Sequence, residues 1–281
     1  MFRKAFVITL AAPLIFMLIG CKFNEGGKEM SKKDQVTALL KALETGTAEP
    51  VAVINPQKYI QHNLAVPDGL NGFGEFFAKL PKNSVKVNTV RVFQDGEFVF
   101  TQSEYEFFGP KVGYDVFRFE DGKIVEHWDG LADKKPANPS GHTQFDGETK
   151  ITDTDKTEQN RKLVGSFIKD ILIDGKVTKI TDYISTQQYI QHNTDIADGL
   201  DGLGSALNAM AKAEIKMVYS KNHKVLAEGN FVLSMSEGTF AGKHVAFYDL
   251  FRIENGKLVE HWDAIEEIPS EDKWANKNGK F

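Results

Sequence analysis

The chain repeats itself. The pentapeptide Tyr59-Ile60-Gln61-His62-Asn63 returns unchanged as Tyr189-Ile190-Gln191-His192-Asn193, 130 positions later (59 to 189). A second block, Asp115 to Asp129, returns as Asp249 to Asp263 at an offset of 134 (129 to 263), and both copies end in Val-Glu-His-Trp-Asp. Two blocks at nearly equal offsets mean that one unit has been duplicated, so a single fold must explain both halves. A length of 281 residues agrees with two domains, each long enough to bury its own core.

The remaining bulk properties narrow the partners. The formal charge is −5, and −7 without Arg3 and Lys4. No basic block is present that could follow a phosphate backbone, so nucleic acid is not an expected partner. Arg3 and Lys4 precede the apolar run Ala5 to Ile19, which ends at Gly20-Cys21. A basic start, a short apolar core and small residues at its end describe a secretory signal over residues 1–20. The run is shorter than the roughly 20 apolar residues of a membrane span, although an uncleaved anchor is the alternative. The stretch resembles a bacterial lipoprotein lipobox. That resemblance implies cleavage before Cys21, lipid on Cys21 and an exported protein held at a membrane, the outer one in a Gram-negative cell. Cys21 is the only cysteine, so no disulfide within the chain is expected.

Residues 21–33 are polar and suit a tether. Val36, Leu39, Leu40 and Leu43 have helical spacing, as do Leu163, Val164, Phe167, Ile168, Ile171 and Leu172. The Gly-rich stretches Asp68–Gly74 and Asp198–Gly204 follow the pentapeptides and lead into a second helix in each copy. No Lys-Ser or Lys-Thr follows them, so they are not phosphate loops. Extended runs come next, at about 85–94, 97–107, 113–120 and 123–129, with turn signals at Asp95-Gly96 and Asp121-Gly122. Helices followed by a meander indicate an α+β domain with helices on one face of a curved sheet. The expected boundaries are 34–145 and 158–281, joined by a polar linker over 146–157.

Strand alternation puts Val125, His127 and Asp129 on one face, with Glu126 and Trp128 on the other. Asp115 shares its face with Phe117 and Phe119, which would desolvate it and raise its pKa towards that of a working base. His62 and Asn63 can approach the same pocket as donors. Such a set can remove a proton next to a carbonyl and hold the enolate. It can equally cap a sheet, since a duplication preserves scaffold residues as readily as functional ones. Two His with Asp115 or Asp129 would meet a two-His, one-carboxylate metal set, but no compact ligand motif is present and no metal is expected.

The pattern Tyr-Ile-Gln-His-Asn, then Asp-Gly, then Asp-x-Phe-Arg-x-Glu-(Asp/Asn)-Gly-Lys-(Ile/Leu)-Val-Glu-His-Trp-Asp resembles the SnoaL-like branch of the NTF2-like superfamily. The resemblance covers both copies, including the tails from Ala137 to Phe145 and from Ala275 to Phe281. It implies two cone-shaped α+β barrels, each a bent antiparallel sheet wrapped by helices around a cavity. It also implies a polyketide-cyclase or aldol-condensation type of chemistry with an Asp general base and no cofactor. On this chain Asp129 and Asp263 look like the bases, supported by Asp115, His127, Asp249 and His261. His62, Asn63, Tyr59 and Trp128, with His192, Asn193, Tyr189 and Trp262, look like the ligand-binding set. The expected ligand is small and apolar, the alternative to an enzyme is a lipoprotein that captures such a molecule, and pairing of the two copies as an internal pseudo-dimer is expected.

Overall fold

The computed structural model describes residues 30–80 and 85–281. The apolar leader, Cys21 and most of the expected tether lie outside the described residues. Among the described residues no helix is long and apolar enough to cross a membrane. Helix α1 (Lys32–Thr45) begins inside the expected tether and buries Val36, Leu39 and Leu40 along one stripe. After a short 3-10 turn come strand β1 (Ile60–Gln61) and helix α2 (Gly69–Lys79). Strands β2 (Lys86–Asp95), β3 (Phe98–Glu106), β4 (Pro110–Glu120) and β5 (Lys123–Asp133) then form the meander. The second copy repeats the series as α3 (Thr157–Phe167), α4 (Ile180–Tyr183), β6 (Ile190–Gln191), α5 (Gly199–Lys212), β7 (Met217–Glu228), β8 (Phe231–Phe240), β9 (Lys243–Glu254) and β10 (Lys257–Glu267).

The strand orders are β1-β5-β4-β3-β2 and β6-β10-β9-β8-β7. Two expectations change here. The pentapeptide supplies a fifth strand, parallel to β5 through Ile60↔Glu126 and Gln61↔His127, so each sheet is mixed rather than antiparallel throughout. Neither sheet closes into a barrel among the described residues; β1 and β2 stand at opposite edges, as do β6 and β7. The Gly-rich motif now has a physical reason. Asp68 Oδ1 accepts the Gln61 amide at 2.9 Å, which ties the start of α2 to β1. At Gly72 an added Cβ would lie 2.1 Å from the Pro67 carbonyl oxygen, and at Gly202 the same distance from that of Ala197. Only glycine allows that approach.

The helix of the second copy differs from its expected course. After Phe167 it widens into a π-turn over Ile168–Ile173, which brings Leu172 and Ile173 against Tyr219, Val245 and Phe247.

Lys32–Phe281 forms one unit that contains both sheets. One apolar cluster draws on both: Phe93, Phe100, Tyr114, Val116 and Trp128 from the first, and Phe231, Leu233, Met235, Tyr248 and Trp262 from the second. Phe93 lies 4.8 Å from Phe231, ring centre to ring centre. Each sheet also sends a cation over the other's tryptophan: Arg91 sits 4.3 Å from the Trp262 ring and Lys224 4.4 Å from Trp128. The Arg91 guanidinium donates to the carbonyls of Phe145, Asp146 and Glu148, which pins the segment after the first copy.

The tails cross over. Asn138 Nδ2 donates to the carbonyls of Gln191 and Ile196, and Asn276 Nδ2 donates to those of Asn63 and Val66. The repeated Ala-Asn of the sequence is therefore a clamp, each copy's tail satisfying backbone carbonyls of the other.

Removing the Phe231 ring, fully buried between the two sheets, should cost about 3–5 kcal/mol. Urea unfolding of Phe231→Ala, followed by tryptophan fluorescence and circular dichroism, should show one shared transition shifted to lower urea. Two separated transitions in the parent protein would contradict a common core.

Candidate functional site

The side of β4 and β5 turned away from the inter-sheet cluster lines a cavity of about 280 Å³. Its walls are largely apolar: Leu39, Leu40 and Leu43 from α1, Phe73 and Phe76 from α2, Phe107 and Phe108 from the turn between β3 and β4, and Phe117 from β4. Polar groups gather at one end, where Gln61, Asn63, Asp115, His127 and Asp129 meet, with Tyr59 and Tyr105 beside them. Asp115 and Asp129 are direct cross-strand partners, which is why two sequence-distant carboxylates become neighbours.

The hydrogen bonds in this group are specific. Gln61 Oε1 accepts the Asn63 backbone N–H at 2.8 Å and faces His127 Nδ1 at 3.0 Å. An oxygen already accepting one N–H fixes the amide orientation, so His127 Nδ1 is the donor in the second contact. His127 Nε2 then faces Asp115 Oδ1 at 3.2 Å. The other Asp115 oxygen accepts the Tyr105 hydroxyl at 2.6 Å. Asn63 Nδ2 donates to Asp129 Oδ2, and Lys280, arriving on the tail of the second copy, stands 3.4 Å from Asp129 Oδ1. Lys280 also pairs with Glu266. Burial pulls the Lys280 ammonium down, but Glu266 and Asp129 outweigh it and leave its pKa above the ordinary lysine value.

The second copy keeps the core of this arrangement. His261 Nδ1 faces Gln191 Oε1 at 3.0 Å and its Nε2 faces Asp249 Oδ1 at 3.2 Å. Asn193 Nδ2 donates to Asp263 Oδ2 at 2.7 Å. Burial works to lower the His261 pKa, yet the hydrogen bond to Asp249 and the charges of Asp263 and Asp249 raise it above 6.5. Burial raises Asp263 above the ordinary aspartate value, only partly offset by His261. Tyr59 and Tyr189 are buried beside their carboxylates, and desolvation holds both phenols well above 10.

Four expected ligand contacts lie elsewhere. His62 stacks on Trp128 (4.8 Å, 7°), and His192 on Trp262 (4.6 Å, 7°), on the inter-sheet side. His62 Nδ1 faces the Gly279 carbonyl and Nε2 faces Glu126; His192 faces the Thr143 carbonyl and Glu260 in the same way. These rings hold the crossed tails. The reason is the strand period of two: Trp128 alternates with His127 and Asp129, and His62 follows it to the far face. Three residues were overlooked in the sequence. Gln61 sat in the repeated pentapeptide and could have been found there. Tyr105 and Lys280 carried no repeat signal.

The acceptor atoms of Asp115, His127 and Asp129 lie within 4.8 Å of one another, as do those of Asp249, His261 and Asp263. In the first set the facing N–H and O–H groups already match them, so a cation would have to displace Tyr105, Asn63 or Lys280.

The SnoaL-like domain family matches residues 36–127, which run from α1 to the cavity histidine. The first copy carries a SnoaL-like domain. No curated protein matches the chain. Among solved structures, TsrD from Streptomyces laurentii is 18% identical, covering 37% of this chain and 91% of its own, with a TM-score of 0.32. A SnoaL-like polyketide cyclase from Agrobacterium tumefaciens is 13% identical, with coverages of 37% and 92% and a TM-score of 0.31. An NTF2-like protein of unknown function from Cytophaga hutchinsonii is 14% identical, with coverages of 37% and 93% and a TM-score of 0.33.

The His261 and Asp263 shifts have the same sign. A group whose folded pKa is raised contributes stability fully present below its unfolded value and lost as pH rises through the folded one. The stability advantage of the parent protein over a His261→Gln, Asp263→Asn variant should therefore shrink from pH 4 to pH 8. An advantage that grows over this range, measured by urea unfolding, would reverse the assigned directions.

Proposed function

We propose that the SnoaL-like cavity takes a small apolar carbonyl compound and that Asp129 acts on it as a general base, in a cofactor-free aldol cyclisation or isomerisation. The observation that carries this reading is a mainly apolar cavity of about 280 Å³ at one end of which Asp115, His127 and Asp129 meet. An apolar cavity of roughly 150 Å³ holds benzene, so this one has room for two fused rings. Asp129 would take a proton next to the carbonyl, and Asn63, whose amide has a second N–H beyond the one on Asp129, is the donor near the developing enolate. Asp263 has the equivalent role in the second copy. We further propose that residues 34–145 and 158–281 are the two domains, working as an internal pseudo-dimer held by the crossed tails. The leader points to export and lipid attachment at Cys21, at the outer membrane of a Gram-negative cell.

A second reading has its own support. Both oxygens of Asp129 already face donors, Asn63 and Lys280, which suits a group that orients a bound molecule without reacting. In that case the protein is a lipoprotein that captures an apolar small molecule.

Deuterium uptake at the α-carbon of 2-tetralone, a bicyclic ketone, separates the two. The base reading expects protein-dependent exchange that falls about 100-fold or more in an Asp129→Asn, Asp263→Asn variant, while 2-tetralone still binds. Binding with no protein-dependent exchange supports the capture reading. Exchange unchanged in the variant removes Asp129 and Asp263 as bases.

A further inference from the structure

The two copies reach the same hydroxyl–carboxylate bond by different routes. In the first, Tyr105 on β3 donates to Asp115 Oδ2 at 2.6 Å. In the second, Tyr219 on β7 donates to Asp249, 3.2 Å from each oxygen. β7 occupies the place of β2, so the donor has moved to the neighbouring strand. The register defines the exchange. Tyr105 pairs with Val87, whereas Tyr219 pairs with Gly238; the tyrosine and its small partner have traded strands.

A third position changes with them. Gly113, opposite Ser103, becomes Phe247, opposite Ser236. A Cβ on Gly113 would sit 2.5 Å from the Tyr105 ring, so the first route requires glycine there. A Cβ on Gly238 would sit 1.8 Å from the Val218 carbonyl oxygen, so no tyrosine fits on β8 in the second copy. Its space is covered by Phe247, on which Tyr219 stacks at 3.9 Å. Simple core filling needs no hydroxyl in either place. Three side chains differ, yet a phenol O–H still ends on the carboxylate that faces the histidine.

We propose that Tyr105 and Tyr219 are positioning residues that decide which of the two cross-strand carboxylates stays occupied and which is left for the ligand. This rests on the functional reading of the cavity given above. Two facing carboxylates repel, and one of them takes up a proton unless donors hold it charged. Asp115 receives Tyr105, Thr101 and His127, which together occupy three of its roughly four acceptor positions. Asp129 receives two donors, Asn63 and Lys280, and so keeps more acceptor positions for a ligand in the cavity that both carboxylates line. The charged and titratable groups around His127 are Asp115 on β4, Asp129 on β5, Tyr105 on β3 and Tyr59 ahead of β1, with Lys280 reaching Asp129 from the tail. In the second copy the raised His261 pKa agrees with a proton held on the ring against burial.

Tyr105→Phe and Tyr219→Phe keep each ring and remove only the hydroxyl. In the ligand-free full chain, nitrogen-15 spectra of the histidine rings should show His127 Nε2, and then His261 Nε2, moving towards an unprotonated ring nitrogen as the proton passes to the aspartate. 2-Tetralone binding should stay within about twofold, and any exchange rate should fall about tenfold, the effect of roughly one pKa unit. Ring spectra and titrations identical to the parent protein would overturn the proposal and leave the tyrosines as core. If the parent protein shows no exchange at all, the base reading fails, while the ring spectra still decide the tyrosines.

Discussion

The period of two along β5 is the constraint on which the rest depends. Glu126, Trp128 and Gly130 point one way and His127, Asp129 and Leu131 the other. The first set builds the junction between the sheets, where Gly130 lies so close to Tyr248 that a Cβ would come within 2.3 Å of its ring. The second set builds the cavity floor. A slip of one residue would turn the tryptophan into the cavity and the carboxylate into an apolar core. The cross-sheet packing therefore secures the register of the strand that holds the polar site. A buried ring such as Trp128 contributes about 1.5–3 kcal/mol by leaving water, more than the roughly 1 kcal/mol net of one hydrogen bond at the floor.

The crossed tails extend that coupling to electrostatics. Lys280 belongs to the second copy, yet it meets Asp129 in the first. The equivalent tail of the first copy brings the Thr143 carbonyl and the Asp146 carboxylate to His192, while Gln144 bonds to Gln102 and Lys135 within its own copy. Asp129 thus has a cation beside it, while Asp263 is raised by burial. Together with the π-turn that brings Leu172 and Ile173 against Phe247, this gives two polar clusters of one plan in different surroundings.

Much of this was legible in the chain. The duplication, the meander with its Asp-Gly turns, and the shared face of His127 and Asp129 follow from spacing alone, because hydrophobic period and turn chemistry are local. The pairing of Asp115 with Asp129 was not within reach of the turn alone: the Asp121-Gly122 register would set Asp115 opposite Trp128, and a bulge between Arg118 and Phe119 moves it by one residue. Nor was the placement of His62: the pentapeptide reads as loop, and its two-residue strand exists only because β5 offers an edge to pair with. Tyr105 was hidden for a related reason, since its hydroxyl matters only beside a carboxylate on the neighbouring strand.

The sequence by itself determined that two like α+β modules would form and that each would carry His and Asp on one strand face. Those properties are written in periodicities of two and 3.6, which need no knowledge of distant neighbours. Only the tertiary structure decided that the Trp and His of the repeated motifs would knit the copies together, that a lysine would cross from one copy to the other, and that each histidine pair would be steadied by a tyrosine from a different strand. These depend on contacts between segments far apart in the chain. Such contacts arise from closely packed surfaces, where a single Cβ at Gly113 or Gly238 changes which side chain can reach the carboxylate.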